Sequence, residues 1–125
     1  MSVADIMSRG LVLARPGEPV RVVAGRMHSA GVGAVLVVDE EGRLLGVFTE
    51  RDLLRLVAEG GSLDGPVEAH MTSNPAVARP DTPLMEAGEL MVRLGVRHLP
   101  VVDEEGRPVG ILSLRDVCQA LLGEE

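Results

Sequence analysis

The spacing of apolar positions changes several times along the chain, and each change marks an element. After a short helical turn around Ala4 to Met7, Val12 to Ala14 forms a brief apolar stretch that reads as extended. Pro16 and Pro19 then bracket a helix start. Val20, Val23, Ala24 and Met27 recur at the three- and four-residue spacing of one helical face until Gly31 ends the run. Ala34 to Val38 is uninterruptedly apolar, Asp39-Glu40-Glu41-Gly42 is a turn, and Leu44 to Phe48 is apolar again, which together predict a hairpin. From about Glu50 to Ala58, Leu53, Leu54, Leu56 and Val57 predict a second helix that ends near Gly60 and Gly61. The order is β-α-β-β-α.

The pattern then starts again. Pro83 opens a helix whose apolar face is Leu84, Ala87, Leu90, Met91 and Leu94, and Gly95 stops it. Strands are expected at Arg97 to Val102 and Val109 to Leu112, with a closing helix to about Leu122. A shift of 64 residues brings the halves into register without a gap from Val3/Val67 to Ala58/Leu122, and 19 of those 56 pairs are identical. The densest block sets Gly31 to Arg43 over Gly95 to Arg107 and includes Val-Val-Asp-Glu-Glu-Gly-Arg in both copies. A solenoid needs three or more units, so two copies predict a pseudo-twofold pair instead. The expected fold is α+β, with one βαββα motif in residues 1–60, a Gly-rich linker at 61–65 and a second motif in 66–125. A half of about 60 residues is marginal alone. Two halves packed through their sheets would share a core and leave two related clefts near strand ends and helix N-termini, where small anionic ligands are favoured.

Composition narrows the chemistry. The chain has 125 residues, of which 46% are hydrophobic and 25% charged, within the range of globular domains. Phe48 is the only aromatic among Phe, Tyr and Trp. A flat ligand must therefore be held by aliphatic groups, and aromatic platforms for single-stranded nucleic acid or cages for cations are excluded. All twelve basic residues are Arg, which removes Schiff-base lysines and P-loops. Nineteen acidic residues bring the net charge to −7, which argues against nonspecific binding to nucleic acid or to anionic membrane. The longest apolar run, Ala34 to Val38, is too short to span a bilayer, and no cationic leader precedes an apolar stretch. A cytoplasmic protein is expected. The single Cys118 forms no internal disulfide, and on the apolar side of the last helix it reads as a small core residue. His28, His70 and His98 share no metal-ligand spacing. Met27, Met85 and Met91 fit helix packing.

One short motif follows the last strand of each half: Gly46-Val47-Phe48-Thr49-Glu50-Arg51-Asp52 and Gly110-Ile111-Leu112-Ser113-Leu114-Arg115-Asp116. A hydroxyl residue three positions before an acid, at a strand-to-helix junction, has two readings. As a capping arrangement, Thr49 or Ser113 caps the helix and the acid answers the cap's own amide. As a binding site, the hydroxyl and free amides hold a phosphate or sugar oxygen while the Asp accepts both hydroxyls of a ribose. The repetition favours the second. Arg51 and Arg115 stand in the first helical turn, where the helix dipole opposes a cation, and either contact phosphate or a neighbouring chain's acid or pair with Glu50 or Glu40.

With these segments in view, the chain resembles the paired CBS domains, named from cystathionine β-synthase, in which two βαββα motifs form a Bateman module. The resemblance covers nearly the whole chain. It rests on Met7-Ser8 and Met71-Thr72, on His98-Leu99-Pro100-Val101-Val102-Asp103, and on the two G-h-h-T/S-x-x-D segments. It implies an adenine-nucleotide sensor with no catalytic activity, often dimerised, that reports to an effector protein. Carried over by position, it makes Asp52 and Asp116 ribose acids and Thr49 and Ser113 their companions. One cleft would join Thr49 and Asp52 to Ser73, Asn74 and Pro75, to Val96 against the base, and to Arg97 and His98 toward phosphate. The other would join Ser113 and Asp116 to Arg9, Gly10 and Leu11 and to Val32 and Gly33. Because Arg97-His98 faces Gly33-Ala34 across the repeat alignment, tighter binding of a phosphorylated ligand is expected in the cleft with Asp52. The implied ligand is AMP, ADP or ATP, with S-adenosylmethionine or NADH also possible, and no catalytic cofactor or metal. The competing expectation is a structural interaction or dimerisation module with vestigial clefts. An enzyme is the remote third, since no nucleophile–base pair, carboxylate pair or metal cluster stands out.

Overall fold

The computed structural model describes residues 1–123. In chain order the elements are a 3₁₀ turn (Val3–Asp5), β1 (Leu13–Ala14), α1 (Val20–Ala30), β2 (Ala34–Val38), β3 (Leu44–Thr49), α2 (Glu50–Ala58), a second 3₁₀ turn (Val67–Ala69), β4 (Thr72–Ser73), α3 (Leu84–Leu94), β5 (His98–Val102), β6 (Pro108–Ser113) and α4 (Leu114–Leu122). The fold is α+β, with the βαββα order in tandem. Local chemistry accounts for most boundaries. Pro19 and Pro83 stand in extended conformation immediately before α1 and α3, and Gly31 and Gly95 close those helices at φ of 68° and 69°, a region that side chains disfavour. Each hairpin turn is held by an aspartate. Asp39 Oδ1 accepts from the amides of Glu41 and Arg43 at 2.9 and 2.8 Å, and Asp103 Oδ1 from those of Glu105 and Arg107 at 2.9 Å each. The block of densest internal identity is thus turn chemistry.

The chain forms two compact units, and their limits differ from those of the sequence repeats. A central unit runs from Val12 to Pro75; a composite unit combines Met1–Leu11 with the chain from Ala76 onward. In the central unit a four-stranded sheet has the order β1-β2-β3-β4, with β1 parallel to β2 and the other pairs antiparallel. One of its faces packs Val35, Val37 and Phe48 against Val20, Val23 and Met27 of α1 and Leu56 of α2, with Ala14 and Val67 completing the cluster. In the composite unit β5 pairs antiparallel with β6, and Leu99, Val101 and Leu112 pack against Leu84, Ala87, Met91 and Val117, with Ala78, Val3 and Met7. Positions 64 apart play matching roles, as in Met27 and Met91 or Phe48 and Leu112. The first residues of each repeat, however, serve the other one. Val67 sits in the cluster of the first repeat and Val3 in that of the second, both fully buried. Likewise β4 pairs with β3, and Ser8 bridges Ile111 of β6.

Gly46 explains how β4 comes so close. It faces Ser73, and a Cβ built on it would lie 2.5 Å from Met71 Sδ and 2.7 Å from the Thr72 carbonyl oxygen. Four expectations about helix faces need correction. Cys118 is exposed rather than a core residue, and Met85 is 56% exposed rather than packed. Of the apolar residues of α2, Leu56 is buried while Leu54 and Val57 stay exposed, and Leu94 of α3 is exposed too. A helix with apolar residues around much of its circumference can bury only the stripe that meets the sheet.

Candidate functional site

In the central unit β3 delivers Thr49 directly to the start of α2. Thr49 is extended (φ −118°, ψ 167°), and its Oγ1 accepts from Asp52 N at 3.3 Å. Asp52 answers through Oδ2, which accepts from Thr49 N at 2.9 Å and from Thr49 Oγ1 at 3.1 Å, so the capping box is complete. Its other oxygen, Oδ1, accepts from Arg55 Nη2 at 2.8 Å. Only 7% exposed, Asp52 is the one buried charged residue among those described. The Gly33 carbonyl accepts from Glu50 N at 3.0 Å, which places Val32-Gly33 beside the helix start. Ser73 lies opposite Gly46, and Asn74 N donates to the Leu45 carbonyl at 2.9 Å. Because β4 is antiparallel, Ser73, Asn74 and Pro75 lead away from Thr49 along β3, the first of them about 10 Å along the strand. Asn74 takes φ 49°, the only left-handed non-glycine described.

The composite unit repeats the junction with one difference. Ser113 Oγ accepts from Asp116 N at 3.0 Å, which caps α4. Among the described residues no hydrogen bond or ion pair reaches the Asp116 carboxylate, and Gln119 stands where the first repeat has Arg55. The Leu114 amide donates to the Arg97 carbonyl at 2.9 Å, and His98 is directly opposite Ser113 in the ladder. Val96, Arg97, His98, Ser113 and Asp116 are therefore gathered in one unit. Arg9, Gly10 and Leu11 continue from Ser8, which bonds reciprocally with Ile111 at 2.9 Å in both directions, and they lead away from Ser113 as Ser73 to Pro75 do from Thr49. Arg51 and Arg115 are exposed, and neither forms an ion pair among the described residues.

Arg55 is the residue that the motif reading missed. Its signal was present as Asp52 and Arg55 at i,i+3 on a helix. Away from the junctions, Arg26 holds the Glu18 carboxyl below its ordinary range through bonds of 2.5 and 3.0 Å, helped by the Arg15 amide at 2.8 Å. The Arg43 amide, with that of Glu41, lowers Asp39. No group of His, Cys, Asp and Glu among the described residues could hold a metal ion, and no described helix is long and apolar enough to cross a membrane.

Two segments, residues 3–59 and 67–123, match the family model of the CBS domain. A 17.7 kDa protein of Acidianus ambivalens is 32% identical over 120 residues, covering 96% of this chain and 73% of that protein; the chain spans 62% of a relative from Methanopyrus kandleri. The CBS domain protein PAE2072 from Pyrobaculum aerophilum, solved in complex with AMP, superposes with a TM-score of 0.89 at 32% identity and covers 94% of this chain and 91% of its own. The CBS domain pair of protein MJ0100, in complex with 5′-methylthioadenosine and S-adenosyl-L-methionine, reaches 0.93 at 26% identity and covers 100% and 98%. Two family matches in one chain, on two copies of the βαββα order, make this protein a member of the CBS domain family that carries the domain as a tandem pair.

Proposed function

We propose that the chain is a non-enzymatic regulatory module that binds an adenine nucleotide, AMP, ADP or ATP, and passes occupancy to a partner protein. The observation that carries the reading is the twofold T/S-x-x-D junction, each copy placing a carboxylate, a hydroxyl and first-turn helix amides at the end of a strand. AMP in PAE2072 and adenosyl ligands in the MJ0100 pair support the ligand class. Asp52 and Asp116 take ribose hydroxyls beside Thr49 and Ser113. Arg97 and His98 serve phosphate, aided by the exposed guanidinium groups of Arg51 and Arg115. With one aromatic in the chain, adenine packs on aliphatic groups such as Val96 and Leu11 and on backbone near Pro75. Self-association as a homodimer fits the exposed Met85, Val92 and Leu121, which line an open groove of about 540 Å³ between α3 and α4. A cytoplasmic site of action accords with the nucleotide ligand.

The completed capping box at Thr49 and Asp52 supports a second reading, an interaction module in which these residues only cap helices. Thermal unfolding with and without AMP or ATP separates the two. A ligand at a hundred times its dissociation constant adds about 2.7 kcal/mol and raises the midpoint by roughly 10 °C. A midpoint unmoved by adenine nucleotides, S-adenosylmethionine and NADH refutes the sensor reading. With no Trp or Tyr, a purine absorbance band that survives desalting reports co-purified nucleotide directly.

A further inference from the structure

A vicinal diol needs two open acceptor positions on a carboxylate, and an ionised carboxylate offers about four. The two motif aspartates differ in how many of these are open. At Asp52, Thr49 N and Thr49 Oγ1 fill Oδ2, and Arg55 takes one position on Oδ1. One position is left, on one oxygen. At Asp116 the described residues occupy none, because Ser113 accepts the Asp116 amide without a return bond and Gln119 replaces Arg55. Neither the family match nor the shared motif requires this inequality. It comes from the two return bonds of Thr49 and, three residues beyond the first aspartate, from the Arg55 guanidinium.

We propose that Arg55 is a specificity-determining residue: it leaves Asp52 able to accept one ligand hydroxyl, whereas Asp116 accepts a complete 2′,3′-diol, so the two repeats differ in their demand for the ribose 2′-hydroxyl. The proposal rests on the adenosine-ligand reading above. Arg55 is 53% exposed, and swinging it aside to open Oδ1 lowers diol affinity by a factor of about two to five, as for an exposed ion pair. A ligand that presents only a 3′-hydroxyl avoids that loss.

The test is calorimetric titration of the full chain, stripped of nucleotide, with AMP and with 2′-deoxy-AMP. An Asp116→Asn background reports the Asp52 junction and an Asp52→Asn background the Asp116 junction. In the first, the two ligands should bind within about a factor of two of each other. In the second, the deoxy ligand should bind about tenfold or more weakly, the worth of a hydrogen bond to a charged group. Adding Arg55→Gln to the first background opens a second position and should create discrimination, whereas Gln119→Arg in the second still leaves three positions and should keep the discrimination intact. Asp116→Asn and Arg55→Gln leave the Thr49–Asp52 capping box untouched, so the first arm stands even where the Asp52→Asn background, which loses that box, is too unstable to titrate. Equal ratios with and without Arg at 55, or discrimination lost with Arg at 119, overturn the proposal while leaving nucleotide binding intact. No binding of AMP by the unsubstituted chain overturns the ligand reading itself, and this proposal with it.

Discussion

Replacing Gly46 with Ala sets two physical effects against each other. A glycine inside a strand is unfavourable by roughly 0.5–1 kcal/mol relative to alanine, so propensity alone predicts that the substitution stabilises. The structure predicts the opposite. The new Cβ would lie 2.7 Å from the Thr72 carbonyl oxygen, a backbone atom in the ladder where Thr72 faces Val47, and 2.5 Å from Met71 Sδ. The sulfur can rotate away; the carbonyl retreats only if β4 loosens from β3. Forced overpacking of this kind costs about 1–3 kcal/mol. The net expectation is a loss of about 1–2 kcal/mol, which for a urea dependence of about 1–3 kcal/mol per molar lowers the midpoint by roughly 0.3–2 M. Far-ultraviolet circular dichroism is the suitable probe, because Phe48 is the only aromatic. Gly110→Ala is the internal control. Its tightest contacts are with the flexible Met7 side chain, and the nearest backbone atom is Ser8 O at 3.1 Å, so the loss should be smaller. A midpoint at or above that of the parent for Gly46→Ala, or a larger loss for Gly110→Ala, refutes the argument that close approach of β4 dictates this glycine.

Phe48→Ala, at a fully buried position, should cost about 3–5 kcal/mol in the same assay, whereas Leu54→Ala at a 68% exposed position should stay within about 0.5 kcal/mol. Glu18 has a folded pKa lowered from 4.5 chiefly by its bond to Arg26, so its stabilisation is present above 4.5 and disappears as pH falls through the lower folded value. Glu18→Gln should therefore destabilise by no more than about 1 kcal/mol at neutral pH and converge with the parent in acid; a gap that persists or widens in acid contradicts the assignment.

The elements with strong local signals were legible. Proline before α1 and α3, glycine after them, and five apolar residues in a row at β2 leave few alternatives, and the motif after the last strand of each repeat sits at the start of α2 or α4 as its capping residues require. β4 was not legible. A two-residue strand has no period of its own, and Thr72 is 25 positions from its partner Val47, so the pairing depends on a tertiary approach that Gly46 permits without announcing. The exchange of Val3 and Val67 between repeats escaped for the same reason: a lone valine in a short turn marks a buried site only once its neighbours are known. At the candidate site, residue types were readable and their engagement was not. Thr49-x-x-Asp52 and Ser113-x-x-Asp116 look equivalent as strings, yet one carboxylate is fully occupied on Oδ2 and paired with Arg55 while the other accepts no described bond.

On the proposed reading, the offset between sequence repeat and compact unit bears on how occupancy would be passed on. The chain passes from one unit to the other between Leu11 and Val12 and again between Pro75 and Ala76. Both passages fall at the ends of the segments Arg9-Gly10-Leu11 and Ser73-Asn74-Pro75, which the family resemblance assigns to ligand. A conformational demand is visible in the left-handed Asn74 of the second segment. Each segment is anchored on one side by β pairing, Ser8 with Ile111 and Ser73 with Gly46, and is exposed or half-exposed beyond that anchor. On the proposed reading, a nucleotide that engages these residues acts on the peptide connections themselves as well as on the two units. Ordering a few exposed backbone positions costs on the order of 1–2 kcal/mol per residue, which the ligand must offset on binding. A ligand that closes both segments would thus change the freedom of the only covalent links between the units, and no catalytic group is needed for that effect.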